Sequence, residues 1–385
     1  MKPLNGRRLK LARQYRGMTV EELSQKINVS KQTISQYENG KIENVPFDKI
    51  FLISSILEFP YQYFLQTKEF NIKTGTTYFR SLMKTNKKYR LAQTIKMEHL
   101  AIIYSFLNEY VSFPQLNLPD WIGEVSSPTD AASMLREYWH LGDKPIDNIM
   151  RIVEENGIIV TTFPTDTDDI DAFSHYVNLE ESDVYFIALS KNKGSAVRMN
   201  FDIAHELGHI ILHEWSEDEE VTSREQFKAK EKEANEFAAA FLMPKDSFEK
   251  DVSMAPQNLD YYIELKRKWK ASIAAMLYRS CHLEIISQNQ YQYMIRIMQS
   301  KGWRKSEPLD NVIVSSKPSI FSDAVDLLLL NNVFTSNELI EELCETGLAM
   351  NPKELEIILN LASGTLSLKE PQKTKIVSLK NVDQN

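Results

Sequence analysis

The stretch "FDIAHELGHIILHEW", residues 201–215, carries three of the seven histidines in the chain. His205, His209 and His213 recur every four residues, and Glu206 sits beside the first. Between them Phe201, Ile203, Ala204, Leu207, Ile210, Ile211 and Leu212 make the stretch otherwise apolar and helical in pattern, beginning at about Ala196. Unpartnered imidazoles and a carboxylate in such a helix are costly. Residues four apart share one helix face, so His205 and His209 can turn their ring nitrogens toward one ion. Neutral imidazole at that spacing suits zinc. Glu206 lies one position round, placed to take a proton from a water on that ion as general base. This is the HExxH pattern of metallopeptidases.

A catalytic zinc needs a third protein ligand and an open fourth position. Downstream, "EKEANEFAAAFLMPK" at 231–245 has a helical pattern that buries Ala234, Phe237, Ala238, Phe241 and Leu242. Glu231 lies beside that apolar stripe and is the favoured third ligand; Glu233 is the competing choice, since two residues apart they point in different directions. His213 lies one turn beyond His209. Three histidines on one straight helix spread over roughly 12 Å, too far for one ion, so His213 is expected to support the site rather than ligate. Residues 214–230 are expected to be a surface loop beside the cleft. Ahead of the helix, "IIVTTF" reads as a buried strand, and "FSHYV" and "VYFIALS" as two more around a polar turn. His175 and Tyr176, on an expected strand edge, are either oxyanion donors or part of a half-exposed strand pair.

With 385 residues, 43% of them hydrophobic and 25% charged, the chain fits a globular protein of two or three domains. The net charge of -8 excludes a generally basic nucleic-acid binder, yet Met1 to Lys41 holds nine Lys/Arg against three Glu. A basic module on an acidic body is the expectation; Glu217 to Glu220 form the main acidic run. Two distant cysteines, Cys281 and Cys344, suit a reducing cytoplasm, and no signal peptide or spanning segment is evident.

The basic start parses into short helices. Leu4 to Arg16 is amphipathic and ends at Gly17; Thr19 and Glu22 form a capping box; "NVS" turns the chain; Ser30 caps a third helix to about Glu38. Short helix, tight turn, short helix is the helix-turn-helix unit. Lys31, Gln32, Thr33, Ser35 and Gln36 give the third helix a polar face that suits base edges in a major groove, with Ile34 and Tyr37 inward. Arg7, Arg8 and Lys41 are candidates for phosphate contacts.

Two resemblances follow. Residues 4–66 ("LKLARQYRGMT", "EELSQKINVS", "TISQYENGK", "FDKIFLISSILEFPYQYF") resemble the XRE-type (Cro/C1-like) helix-turn-helix family, although Val20 stands where many relatives carry glutamine. Residues about 128–250 ("DAFSHY", "VRMNFDIAHELGHIILH", "EKEANEFAAAFLMP") resemble the ImmA/IrrE family of zinc metallopeptidases, and "FR" at 79–80, "NLPDW" and "GWRKSEP" at 302–308 resemble its members fused to an XRE domain. The second resemblance implies one catalytic Zn2+ on His205, His209 and Glu231, with Glu206 activating water. It also implies a protein substrate, an XRE-type DNA-binding repressor, cut to control stress or mobile-element genes.

The expected fold is mainly α with an α+β zincin-like peptidase core, an N-terminal all-α helix-turn-helix domain and a helical C-terminal region. The expected divisions are the helix-turn-helix domain (1–66), a linker and bridging helix (67–127, helical from about Tyr89 to Val111), the peptidase domain (128–250), a helical accessory region (251–308) and a C-terminal helical region with a loose tail after Leu366 (309–385). Arg80, Lys84, Lys87, Lys88 and Arg90 read as a solvated face, with contact to DNA as the alternative. The accessory region reads as a cap holding substrate against the cleft or as a second helix-turn-helix with Lys266, Arg267, Lys268 and Lys270 on DNA. The expected whole is a cytoplasmic zinc metalloendopeptidase with an occluded cleft, tethered to a double-stranded DNA operator, with a protein substrate, no membrane partner and a homodimer as an open option. The rival expectation is a non-proteolytic transcription factor whose metal domain senses a ligand or partner.

Overall fold

A computed structural model describes residues 3–68, 73–79, 86–121, 125, 127–164, 171–179, 182–191, 195–213, 223–314 and 316–367, with the backbone alone for 73–79 and 182. Arg80, Lys84, the acidic run Glu217 to Glu220 and the tail from residue 368 lie outside the described residues.

The first module is α1 (Gly6–Tyr15), α2 (Val20–Lys26), α3 (Lys31–Glu38), α4 (Phe47–Leu57) and a 3-10 turn at Tyr61–Leu65. Its caps follow the chemistry of the sequence. The Thr19 and Glu22 side chains each bond the other's backbone N–H, and Ser30 Oγ accepts from the Thr33 N–H. Gly6 lets α1 approach the end of α3, since a Cβ there would stand 2.1 Å from the Tyr37 carbonyl oxygen.

Next come β1 (Lys73–Phe79), α5 (Lys87–Asn108), α6 (Pro128–Tyr138), α7 (Ile149–Glu155), β2 (Ile159–Phe163), β3 (Ala172–Leu179) and β4 (Ser182–Ser190). The sheet order is β1-β3-β4-β2, antiparallel except for the parallel β2/β4 pair. β1 replaces part of the expected linker. It occupies a sheet edge, so β3 is an interior strand, not the edge expected for His175 and Tyr176.

Helices cover both faces of the sheet. Successive side chains alternate: Ile159, Phe173, Val177, Phe186 and Ala188 join one core with α1 to α5, while Val160, Ala172, Ile187 and Leu189 join another. That second core holds α6, α7, α8 (Ala196–Leu212), α9 (Arg224–Leu242), α10 (Lys245–Val252), α11 (Leu259–Trp269), α12 (Ile273–His282) and α13 (Gln288–Ser300). It continues past residue 250, so the accessory helices share the core of the histidine helix. The last helices, α14 (Ile320–Leu330), α15 (Ser336–Glu345) and α16 (Pro352–Ile358), return to the first core. Thr161 Oγ1 on β2 donates to the Ile358 carbonyl, and Glu354 receives Tyr15 Oη at 2.6 Å and Arg16 Nη1 at 2.9 Å. Among the described residues, no helix is long and apolar enough to cross a membrane.

Candidate metal centre and DNA-reading face

α8 and α9 lie against each other because Gly208, between the two motif histidines, leaves space for α9. A Cβ there would come within 3.1 Å of Phe237 and 3.2 Å of the Ala234 backbone. The small residues Ala234 and Ala238 complete the fit, both fully buried. The close approach carries Glu231 to the histidines. Its Oε1 is 3.2 Å from His209 Nε2 and its Oε2 is 3.6 Å from His205 Nε2, while the two Nε2 atoms are 3.1 Å apart.

This donor set fits zinc. Ligand atoms about 2.0–2.2 Å from a tetrahedral zinc stand roughly 3.3–3.6 Å apart, and the observed separations lie within about 0.2 Å of that range. Two imidazole nitrogens and a carboxylate, all within 4.8 Å of one another, can hold a divalent cation. Burial pushes the Glu231 carboxyl up, but the adjacent His205 and His209 rings outweigh it and hold the group down at about 2.

Glu206 is completely buried beside this cluster, and its Oε2 accepts a 2.7 Å hydrogen bond from Ser174 Oγ on β3. Nothing in the sequence pattern around Ser174 marks a role for it; only the strand's position under α8 reveals one. His213 ends α8 as an extended cap residue, φ −119° and ψ 143°, so the straight-helix spacing stops applying there. Its Nδ1 lies 2.9 Å from His209 Nδ1 and its Nε2 3.1 Å from Glu233 Oε2. Burial, then the neighbouring His209, hold His213 down at about 4. Glu231 and Glu233 thus diverge, one toward each end of the histidine row.

A cavity of about 580 Å³ opens beside Glu231, walled by Arg198, Phe201 and Asp202 of α8, Lys228, Lys232 and Asn235 of α9, and Ser272, Ala275 and Tyr278 at α12. The accessory helices therefore form one cleft wall. α9 begins at Arg224, so residues 224–230 are helix rather than the expected loop.

Several expectations need correction. His175 is fully buried, shares the sheet face of Phe173 and Val177, and so points away from α8; it is not an oxyanion donor. Tyr176 is half-buried and donates to Asp183. Lys266 is buried in an ion cluster with Glu307 (2.8 Å) and Asp310 (2.6 Å), so it is withdrawn from the DNA-facing row; Lys268 pairs with Asp251 and Lys270 with Asp147 at the surface.

In the N-terminal module Lys31 and Gln32 are exposed at the start of α3, Thr33, Ser35 and Gln36 are half-buried, and Ile34 and Tyr37 are buried. Arg7 and Lys41 are exposed. Arg8 is not on that surface. It is 3% exposed, donates to the Lys68 carbonyl and lies 5.0 Å over the Tyr63 ring, so its place among the phosphate contacts is withdrawn.

Fold and cluster together define a class: a zincin-like α+β core with HExxH on one helix and a glutamate on the next, joined to an all-α helix-turn-helix module. The comparisons give the families. Residues 153–280 match the peptidase family M78 model, described as the IrrE N-terminal-like domain, and residues 9–64 match a helix-turn-helix model. The chain is a fusion of an XRE-type helix-turn-helix domain with an IrrE/ImmA-like peptidase-family domain. No curated protein shows a significant match to it.

Proposed function

We propose that this chain is a DNA-binding regulator with zinc-dependent endopeptidase activity, cutting an XRE-type repressor, in trans or within its own chain, to control stress or mobile-element genes. The observation that carries the reading is the convergence of His205, His209 and Glu231 at a cleft, with Glu206 fixed beside them by Ser174. His205, His209 and Glu231 would hold one Zn2+, which when bound supplies a Lewis acid for a water and a substrate carbonyl. Glu206 takes one proton as the water oxygen bonds to the carbonyl carbon, then returns it to the leaving nitrogen as the C–N bond breaks. Ser174 keeps that carboxylate in one rotamer. The walls from α8, α9 and α12 hold the peptide.

Lys31, Gln32, Thr33, Ser35 and Gln36 would read base edges of a double-stranded operator, and Arg7 would meet phosphate. Bringing the cleft to an operator raises the local concentration of a repressor already there, so the cleft need not bind it tightly. On this reading the protein works in the cytoplasm, beside the operator.

The test is incubation of the zinc-loaded protein with an XRE-type repressor, compared with Glu206→Gln. The expected result is one discrete cut by the wild type and none by the variant, with equal zinc content. Cleavage by Glu206→Gln would remove the assigned base. Identical control of a promoter by both proteins would favour a metal domain that senses without cutting.

A further inference from the structure

The row Glu233–His213–His209 has a direction. A carboxylate only accepts hydrogen bonds, so the 3.1 Å contact with Glu233 Oε2 places the proton of His213 on Nε2. A neutral imidazole has one N–H, which leaves His213 Nδ1 as an acceptor. The 2.9 Å contact between the two Nδ1 atoms then requires His209 to donate from Nδ1. The Nε2 of His209 is therefore the lone-pair nitrogen, and it is the one facing His205 and Glu231.

We propose that His213 and Glu233 are positioning residues that fix the tautomer and ring orientation of His209 for metal binding; this rests on the reading of His205, His209 and Glu231 as the metal centre. The device depends on the end of α8. At His213 the backbone becomes extended, and the ring meets His209 rather than continuing along the helix face. Two glutamates on α9 then serve two ends of one system, Glu231 at the metal and Glu233 at the far end. Glu233 is 48% exposed at its side chain while His213 is 4% exposed, so the polarity of the row can be altered from its solvent end.

The experiment measures Zn2+ affinity by competition with a fluorescent chelator, using full-length protein stripped of metal, with thermal unfolding of each apo form as the check on folding. His213→Phe is expected to bind Zn2+ about 10- to 100-fold more weakly than wild type, the usual cost of losing such an orienting partner. Glu233→Gln keeps a carbonyl acceptor and should lose less than about threefold, and Glu233→Ala about tenfold, on the same basis. Glu233→Lys offers only donors. It would force His213 to donate from Nδ1 and His209 to present N–H to the ion, so its loss should equal that of His213→Phe. Should His213→Phe fail to fold, the Gln/Lys comparison at position 233 decides alone. Equal Zn2+ affinity in Glu233→Gln and Glu233→Lys, or wild-type affinity in a folded His213→Phe, would overturn the proposal. A wild-type protein that takes up no Zn2+ would instead overturn the metal centre itself.

Discussion

Ser174 shows what a single side chain adds to the site. Its hydroxyl is buried and bonds the Glu206 carboxylate at 2.7 Å. A hydrogen bond to a charged group contributes about 1.5–3 kcal/mol, so Ser174→Ala is expected to lower kcat by about 10- to 100-fold. KM and zinc content should change little, because the serine touches neither cavity nor ligands. Steady-state kinetics on the cleaved repressor, with metal analysis, checks this; an unchanged kcat would make the bond incidental. At this scale the sequence was legible where chemistry is periodic. His205, Glu206, His209 and the favoured Glu231 follow from helix spacing and an apolar stripe. Ser174, the partner of His213 and the burial of Arg8 were not legible, because each depends on which distant segment packs alongside. Arg8 and Arg7 are neighbours with the same charge, yet Arg8 turns inward to Lys68 and Tyr63.

Elements set the distances between those residues. The α8–α9 spacing rests on Gly208, and Gly208→Val would force the helices apart where a Cβ alone already meets atoms at 3.1–3.2 Å. Overpacking of that kind costs about 1–3 kcal/mol. The prediction is a lower unfolding midpoint together with weaker Zn2+ binding, since Glu231 moves off with α9; calorimetry and chelator competition measure the two separately. A second element-scale prediction concerns α5. His99 stacks on Tyr15 of α1 at 5.1 Å. Burial first, then the charges of Arg8 and Arg16, depress it to about 3 from an ordinary 6.5. The fold therefore keeps this imidazole neutral, while the unfolded chain protonates it near pH 6.5. Stability from this group is complete above that pH and is lost as pH falls toward 3, with a slope of up to about 1.4 kcal/mol per pH unit. His99→Leu should flatten the denaturation midpoint over that window, as chemical unfolding at several pH values will show. Capping residues and apolar periods made most helices readable. β1 was not: its polar residues look like linker until β3 pairs with them, a contact about a hundred residues away that no local pattern records.

Across the whole molecule, two cores share one sheet, and the site lies on one of them. α8, α9 and the cleft belong to the face of Ala172 and Ile187; the helix-turn-helix module, α5 and α14 to α16 belong to the face of Phe173 and Phe186. The C-terminal helices were chemically silent in the sequence because their role is to complete the first core, that of the helix-turn-helix module. They bury Phe321, Val325, Leu328, Leu343, Leu355 and Ile358 there, and Glu354 ties them to Tyr15 and Arg16 of α1. Deleting residues 316–385 would uncover an apolar face on α5 and remove Glu354, one of the partners of Arg16. Fully burying one such side chain is worth about 1.5–3 kcal/mol, so losing six, about 9–18 kcal/mol, is as large as the roughly 5–15 kcal/mol by which a typical domain is stable. The expected outcome is an N-terminal module that loses its cooperative thermal transition and binds a hydrophobic dye, with operator binding lost alongside. Helices α8 to α13 keep their own core in that truncation, so Zn2+ binding should fall less than DNA binding. Circular dichroism melts and dye fluorescence test the first point; parallel zinc and DNA titrations test the second. A truncated chain that melts as the intact one does would show that the first core does not depend on these helices.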